Sequence, residues 1–353
     1  MTYFRTAVDQ MTGYVPGEQP KPGTPIIKLN TNENPYPPSP QAIEALRQLD
    51  GEWLRRYPDP FAKEFCRAVS EALSVPADWV IVGNGSDEIL NVLIRACAEG
   101  DDRKVVYPMP TYVLYRTLAA MQPAKVVEIP YPEDFSLPID ALVKADGAIT
   151  FIASPNSPSG HTVPLEDLRQ LAQQTSGVLV VDEAYVDFAE STALPLVSEF
   201  DNVLVLRTLS KGYSLAGLRM GFGVAQPSLL EGLFKIKDSY NIDAIATIVG
   251  AAAMRDQAYK NACAEKVKAS RTQLTADLKN LGFTVLNSQG NFVLATTPNS
   301  VGKNAEQLYL ALKERGILVR YFKQSGLEDK LRITVGTDEQ NQTLIEALVS
   351  LLK

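Results

Sequence analysis

Imidazole is almost missing from this chain: among its 353 residues His161 is the single histidine. That excludes a His-rich metal cluster and a metal helix of the His-Glu-x-x-His kind. Any Ser–His or Cys–His nucleophilic pair would have to use His161 as its base. Cysteine is scarce too. Cys66, Cys97 and Cys263 are an odd number, so no complete disulfide framework is available, and they read as reduced, buried, small apolar residues. Long apolar runs are also lacking. The longest, 177–181 and 244–253, are well short of a membrane span. Nor is there a basic excess: 34 Lys and Arg stand against 41 Asp and Glu, a net charge of −7, which argues against a nucleic-acid partner. Residues 1–10 hold no apolar core and no cleavage-like site, so no secretory signal is expected and the expected address is the cytoplasm. With so little imidazole, proton transfer in an enzyme of this composition falls to Lys, Tyr or a carboxylate.

What is present is ordinary globular composition, 45% hydrophobic and 21% charged, at a length that suits two domains or one large domain with an appendage. The first 40 residues are rich in proline, from Tyr14 through Pro25 and again from Asn32 to Pro40. Proline fixes φ and removes donors, so neither helix nor central strand is expected there. Ile26, Ile27, Leu29 and several tyrosines instead suggest an ordered arm lying on another surface. From Ser39 the pattern alternates. Apolar, β-rich runs at 79–83, 104–107, 125–129, 147–153, 177–182, 202–207 and 219–224 are separated by helical periodicity at 86–98, 111–121, 139–145 and 164–175. This predicts an α/β fold with a seven-stranded, mainly parallel sheet covered by helices on both faces. Only Thr208–Leu218 joins the last two strands, so strand 219–224 is expected to run antiparallel. Beyond Ile245 come a long helix at 256–280 stopped by Gly282, short strands at 283–286, 291–295, 317–320 and 331–335, and helices at 302–314 and 338–352. The expected organisation is an arm (1–38) packing on the small domain or a partner subunit, a large domain (39–245) and a small α+β domain (246–353).

In an open parallel sheet, ligands bind beyond the carboxyl ends of the strands. Polar residues gather there. Gly83-Asn-Gly-Ser-Asp-Glu88 leads from a strand into a helix, which reads either as a phosphate cradle or as a plain helix cap. Ser154-Pro-Asn-Ser-Pro-Ser-Gly160 is an exposed turn. Asp182 ends a buried run, where a carboxylate is costly unless a cation pairs with it. Lys211 sits between Ser210 and Gly212 in an apolar stretch, and partial burial would lower its pKa and free its amine. Thr208, Ser210 and Arg219 around it suit a dianionic phosphate. Together these pieces describe pyridoxal phosphate, which needs a lysine for its aldehyde, an acid for its ring nitrogen and donors for its phosphate.

The run Ser210-Lys211-(x)7-Arg219, with Asp182-x-x-Tyr185 upstream, resembles the fold-type-I pyridoxal-phosphate aminotransferases. More narrowly, Asn30-Thr-Asn-Glu-Asn-Pro-Tyr-Pro, Arg56-Tyr-Pro-Asp59, Gly85-Ser-Asp-Glu88, Pro110-Thr-Tyr112, Asp182-Glu-Ala-Tyr185, Thr208-Leu-Ser-Lys-(x)4-Ala-Gly-Leu-Arg219 and Leu331-Arg-Ile-Thr-Val-Gly336 are similar to the histidinol-phosphate aminotransferase family. The similarity runs from Tyr14 to the C-terminal helix. It implies that Lys211 bonds to the cofactor aldehyde and shuttles the proton between substrate Cα and cofactor C4′. It also implies that Asp182 keeps the ring nitrogen protonated, that Tyr185 donates to the ring oxygen and that Tyr112 stacks on the ring. Gly85, Ser86, Asp87, Thr208, Ser210 and Arg219 would surround the phosphate. Tyr57 of Arg-Tyr-Pro-Asp would reach that phosphate from the other subunit of a homodimer. The family's usual Asn-Asn-Pro-Thr-Gly turn is altered here: Ser157 holds the place of the second Asn, with Asn156 just before it, and both are candidates for the ring-oxygen contact.

For the substrate, the resemblance gives Arg332 the acidic group. Arg320 is a second basic position whose alternative is a surface salt bridge, and two guanidinium groups suit a phosphate dianion. Tyr14, Asn32 and Asn34 would close over an imidazole. The implied reaction moves an amino group from histidinol phosphate to 2-oxoglutarate, giving imidazole-acetol phosphate and glutamate by a ping-pong route. The alternatives are an aromatic amino-acid aminotransferase, a phosphothreonine decarboxylase, and a non-catalytic cofactor-sensing module of the kind fused to DNA-binding domains. His161 has no role in this chemistry and reads as structural.

Overall fold

A computed structural model describes residues 3–11, 13, 18, 25–298 and 302–353. Seven strands form the main sheet: β1 (Val80–Asn84), β2 (Gly100–Met109), β3 (Ala124–Pro130), β4 (Ile149–Ala153), β5 (Val178–Asp182), β6 (Val203–Thr208) and β7 (Met220–Val224), in the spatial order β1-β7-β6-β5-β4-β2-β3. β7 is antiparallel to both of its neighbours, while β2 to β6 pair in parallel. Each strand expected from the apolar pattern is present, with the reversal at β7. The strand register shows why the runs are continuous rather than alternating. Leu179 and Val181 face one apolar core and Val180 the other; Val203 and Val205 face the first, Leu204 and Leu206 the second. Both faces of the sheet are dry, so consecutive residues must all be apolar. Full burial of each such side chain contributes about 1.5–3 kcal/mol.

The helix Ser86–Cys97 covers the second face with Ile89, Leu90 and Leu93. The helices Leu165–Gln174 and Lys63–Leu73 cover the first, through Leu168 and Leu171 and through Phe65 and Val69. The helix Ala244–Arg255 joins the same core through Val249 and Met254. Its Gly250 is packed so closely that a Cβ there would come within 2.4 Å of Met220 Sδ. The division expected at 245/246 therefore falls inside a helix that packs on the large core. Core membership changes farther on, between Met254 and Ala264.

The helix Gln257–Asn280 carries the chain into a smaller body with its own core, built on Val267, Leu274, Leu308, Ile333 and Leu344. There β8 (Thr284–Val285), β9 (Phe292–Thr296), β10 (Arg320–Tyr321) and β11 (Lys330–Thr334) form an antiparallel sheet in the order β10-β11-β9-β8. In the arm, Ile27 and Lys28 pair in parallel with Ile317 and Leu318, and Leu29 is buried in the small core. Among the described residues no helix is long and apolar enough to cross a membrane.

Candidate active site

The carboxyl ends of the parallel strands, the arm and β10–β11 enclose a crevice of about 270 Å³. β5 delivers Asp182, β6 delivers Thr208 with Ser210 and Lys211 just beyond, and β1 delivers the Gly85–Ser86 helix start. Because β7 is reversed, its amino end brings Arg219 to the same edge.

Lys211 Nζ donates to the Thr31 carbonyl at 2.9 Å and lies 5.8 Å from the centre of the Tyr185 ring. Burial, helped by the nearby Arg332 guanidinium, pushes its amine down to about 8. A substantial fraction of the free base is therefore present near neutrality, as a nucleophile or proton carrier requires. Asp182 is buried at the crevice floor. Its Oδ2 accepts from the Tyr115 hydroxyl at 2.7 Å and its Oδ1 from the Ala184 amide at 3.1 Å. Burial pushes its carboxyl up to about 6, and the Tyr115 hydrogen bond restrains the rise. Such a carboxylate gains by meeting a cationic N–H. The adjacent Glu183 is occupied elsewhere: it is buried against Arg207 and Thr192.

At the end of the crevice beside the helix start, Gly85 adopts φ +74° and a Cβ there would come within 2.5 Å of Arg219 Nη2. A Cβ at Gly221 would come within 2.3 Å of the Ser86 amide. Glycine is thus required for the guanidinium and the helix start to converge. Thr208 Oγ1 donates to Ser210 Oγ at 3.0 Å, and Arg219 Nη1 donates to Ser210 Oγ at 3.4 Å. Asp87 faces this group, 3.6 Å from Arg219, and accepts from the Tyr112 hydroxyl at 3.3 Å. Burial raises its pKa, with Arg219 opposing the rise.

At the other end, Arg320 and Arg332 are direct partners across β10 and β11. Like charges directly opposite repel, so this pair gains from an anion. Arg332 is held over Phe292 and Phe322, with Nη1 donating to Ser157 Oγ and Nη2 to the Asn30 carbonyl, both at 3.0 Å. Arg320 also lies over Phe322, at 5.5 Å. Ser157 lines the crevice and hydrogen-bonds to Tyr185. Asn156 does not line it: fully buried, it donates to the Pro110 carbonyl and Ser159 Oγ and accepts from Thr111 Oγ1. Its amide braces the turn 154–160, which is buried throughout rather than exposed as its composition suggested, because prolines and internally bonded polar side chains pack it under the crevice.

Tyr185 OH accepts from Asn32 Nδ2 at 3.0 Å, and Asn32 is itself tied to Thr334 and Asn291. Asn34 does not line the crevice; it donates to the carbonyls of Lys211 and Gly212 at 3.1 and 3.3 Å. Tyr57 is also away from its own crevice, 83% exposed and stacked on Tyr240 at 4.6 Å. Tyr14 lies outside the described residues. His161 is used internally, on Ser159 Oγ at 2.7 Å and against Tyr131 and Phe135, and burial pushes it down to about 4.

Sequence reasoning passed over Tyr115, Thr111, Asn30, Thr31, Glu33 and Phe322. Asn30, Thr31 and Glu33 stand inside a motif already singled out, so position alone could have raised them. Asn30 Oδ1 and Thr31 Oγ1 are buried side-chain oxygens without a hydrogen-bond partner among the described residues, at the crevice wall.

The donor set fits pyridoxal phosphate: a partly neutral lysine amine, a buried carboxylate for the ring nitrogen, and hydroxyls, a guanidinium and a helix start for the phosphate. The sequence profile of aminotransferase classes I and II matches residues 24–348. The chain belongs to that aminotransferase family. It is 68% identical to "Histidinol-phosphate aminotransferase 1" of Trichormus variabilis, over 99% of both chains. Its fold is similar to that of histidinol-phosphate aminotransferase from Sinorhizobium meliloti in complex with pyridoxal-5'-phosphate: TM-score 0.89 and 26% identity, covering 100% of this chain and 98% of the other. The same fold is found in L-threonine-O-3-phosphate decarboxylase from Porphyromonas gingivalis, with TM-score 0.81 and 22% identity, covering 93% and 99%. This member of the family is a pyridoxal-phosphate-dependent aminotransferase of fold type I.

Proposed function

We propose that the aminotransferase takes L-histidinol phosphate as amino donor and 2-oxoglutarate as acceptor, in histidine biosynthesis. The observation that carries this reading is the facing pair Arg320 and Arg332 at the crevice. A phosphate dianion presents enough charge and enough oxygens for both guanidinium groups. The carboxylate of glutamate or 2-oxoglutarate, bound in the second half-reaction, needs one bidentate partner and leaves the other arginine for the distal acid.

Bound at Lys211, the cofactor supplies a carbonyl carbon for the amine and a ring that delocalises the electron pair left on the substrate carbon. The residues do the rest. Lys211 Nζ, freed by its lowered pKa, would take the proton from the substrate carbon and return it across the intervening nitrogen, to the carbon two atoms along. Asp182, itself held by Tyr115, would keep a proton on the ring nitrogen. Tyr185 and Ser157 orient the ring oxygen, and Ser157 ties that end to Arg332. Asn30, Thr31, Asn32 and Glu33 of the arm form the wall that excludes water.

A homodimer is part of this proposal. Tyr57, exposed and outside the lining of its own crevice, would reach the phosphate seat of a second copy, and its exposure supports that reading. Trp53 and Phe61, 53% and 50% exposed, would be covered by the same contact. The cytoplasm is the compartment we assign, consistent with three free, buried cysteines. Steady-state kinetics with histidinol phosphate, phenylalanine, tyrosine and phosphothreonine tests the substrate. The proposal expects kcat/KM for histidinol phosphate to exceed the aromatic amino acids by about a hundredfold or more. Equal values would favour the aromatic reading, and CO₂ release from phosphothreonine without an oxo-acid would favour the decarboxylase.

A further inference from the structure

Five residues beyond Asp182 the chain carries another acid that the reaction does not use. Asp187 lies in the short turn Val186–Phe188, and its Oδ1 is 3.0 Å from Lys260 Nζ on the helix Gln257–Asn280. Both side chains are nearly buried, 10% and 12% exposed. Such a pair must repay the desolvation of two charges, and apolar side chains of similar size often serve stability as well or better. Stability alone therefore does not account for it.

Its position does. Gly212, the residue after Lys211, is pressed on Asp187: a Cβ there would come within 2.2 Å of Oδ2 and 2.5 Å of the Asp187 Cβ. Lys260 Nζ stands 5.5 Å over the ring of Tyr213, the next residue, whose hydroxyl accepts from Gln257 Nε2 at 2.9 Å. From the opposite side Asn34 holds the carbonyls of Lys211 and Gly212. Phe188, beside Asp187, is fully buried in the small core. The segment from Asp182 to Phe188 thus meets the Lys211 segment at Gly212, and Lys260 locks that meeting point.

We propose that the Asp187–Lys260 pair positions the reacting lysine, by clamping Gly212 and Tyr213 and so fixing the Lys211 backbone against Asp182 and Tyr185. The helix that joins the two bodies is thereby mechanically connected to the reacting amine. Neither residue lines the crevice, so both are positioning residues. The inference rests on the aminotransferase reaction and is indifferent to which amine is the donor.

The test compares Lys260→Met and Lys260→Arg with wild type in the full-length enzyme. Lys260→Met lowers kcat by about tenfold or more while KM for the amino donor stays within about twofold, because binding groups are untouched and alignment is lost. Lys260→Arg, which keeps the charge, restores kcat to within about threefold of wild type. A second readout needs no turnover: pH-dependent acylation of Lys211 in the cofactor-free chain, followed by peptide mass spectrometry. Without the Lys260 charge Asp187 keeps Arg207 as its electrostatic partner, and the Lys211 amine, faced by Arg332, Arg219, Glu33 and Asp87, loses its fixed place among those groups. The acylation midpoint then departs from the wild-type value by about half a pH unit or more. If Lys260→Met lowers the melting temperature but leaves kcat and Lys211 acylation unchanged, the pair is only a brace and the proposal is overturned. If Lys260→Met does not fold, Asp187→Asn, which keeps shape and hydrogen bond, replaces it. A threefold or greater loss of kcat supports the proposal, and wild-type kcat overturns it. A wild type inactive with every donor would instead undo the functional reading.

Discussion

Removing one oxygen atom from Tyr115 should make cofactor binding sensitive to pH. The hydroxyl donates to Asp182 Oδ2 at 2.7 Å, and both residues are buried. Tyr115→Phe keeps the ring stacked on Phe151, 4.7 Å between centres, so packing changes little. A hydrogen bond to a charged group contributes about 1.5–3 kcal/mol, equivalent to one or two decades of proton affinity at about 1.36 kcal/mol each. The Asp182 carboxyl, already pushed up to about 6, would then titrate at roughly 7–8. Its ionised fraction at pH 7 falls from about 0.9 to between about 0.5 and 0.1. If the ring nitrogen binds the ionised form, affinity for pyridoxal phosphate at pH 7 drops by about twofold to tenfold. At pH 9 both proteins hold Asp182 ionised, and the difference shrinks to within about twofold. The Lys211 titration affects wild type and variant alike and cancels in the ratio. Fluorescence titration of the cofactor-free protein at pH 6, 7, 8 and 9 measures this. An affinity loss equal at every pH would falsify the reasoning, since it would mean that Tyr115 acts by shape alone.

Other outcomes follow from the same geometry. Arg332→Ala and Arg320→Ala should each raise KM for a phosphorylated amine by about tenfold to a hundredfold, measured by steady-state kinetics. A salt-bridge role for Arg320 would leave that KM unchanged. Gly85→Ala should weaken cofactor binding more than it lowers the melting temperature, because its Cβ would collide with the Arg219 guanidinium and φ +74° is unfavourable for alanine. His161→Asn, which can still meet Ser159, should leave the pH dependence of kcat unchanged between pH 5 and 9, as a ring pushed down to about 4 is neutral throughout that range.

Much of the architecture was legible because both faces of the sheet are dry. Runs such as Val178–Asp182 and Val203–Thr208 had to be apolar without alternation, and the short link after Thr208 announced the reversal at β7. The helix Lys63–Leu73 was passed over although its apolar face, Phe65, Val69 and Ala72, has helical spacing. In the site, Lys211, Asp182, Thr208, Ser210 and Arg219 could be read from local chemistry, since each is a polar residue ending or following an apolar strand. Tyr115 could not. It meets Asp182 across 67 residues of chain, and nothing beside it in sequence marks the contact. The partners of Asn34 and Asn156 were hidden for a related reason. An asparagine amide serves a backbone carbonyl as readily as a ligand, and the sequence does not say which it will meet. Both are committed to protein carbonyls.

The reversal of β7 also sets how this chain can change over time. Lys211 and Arg219 both stand in the connection, residues 209–219, of the one hairpin that β6 and β7 form. Adding or deleting a residue between them would shift the Lys211 amine relative to the Arg219 guanidinium in a single step. Insertions elsewhere on the strand-end rim would displace one contact at a time. The hairpin therefore behaves as a fixed-length cassette, and a library that varies loop lengths around the crevice should retain active members only where this spacing is preserved.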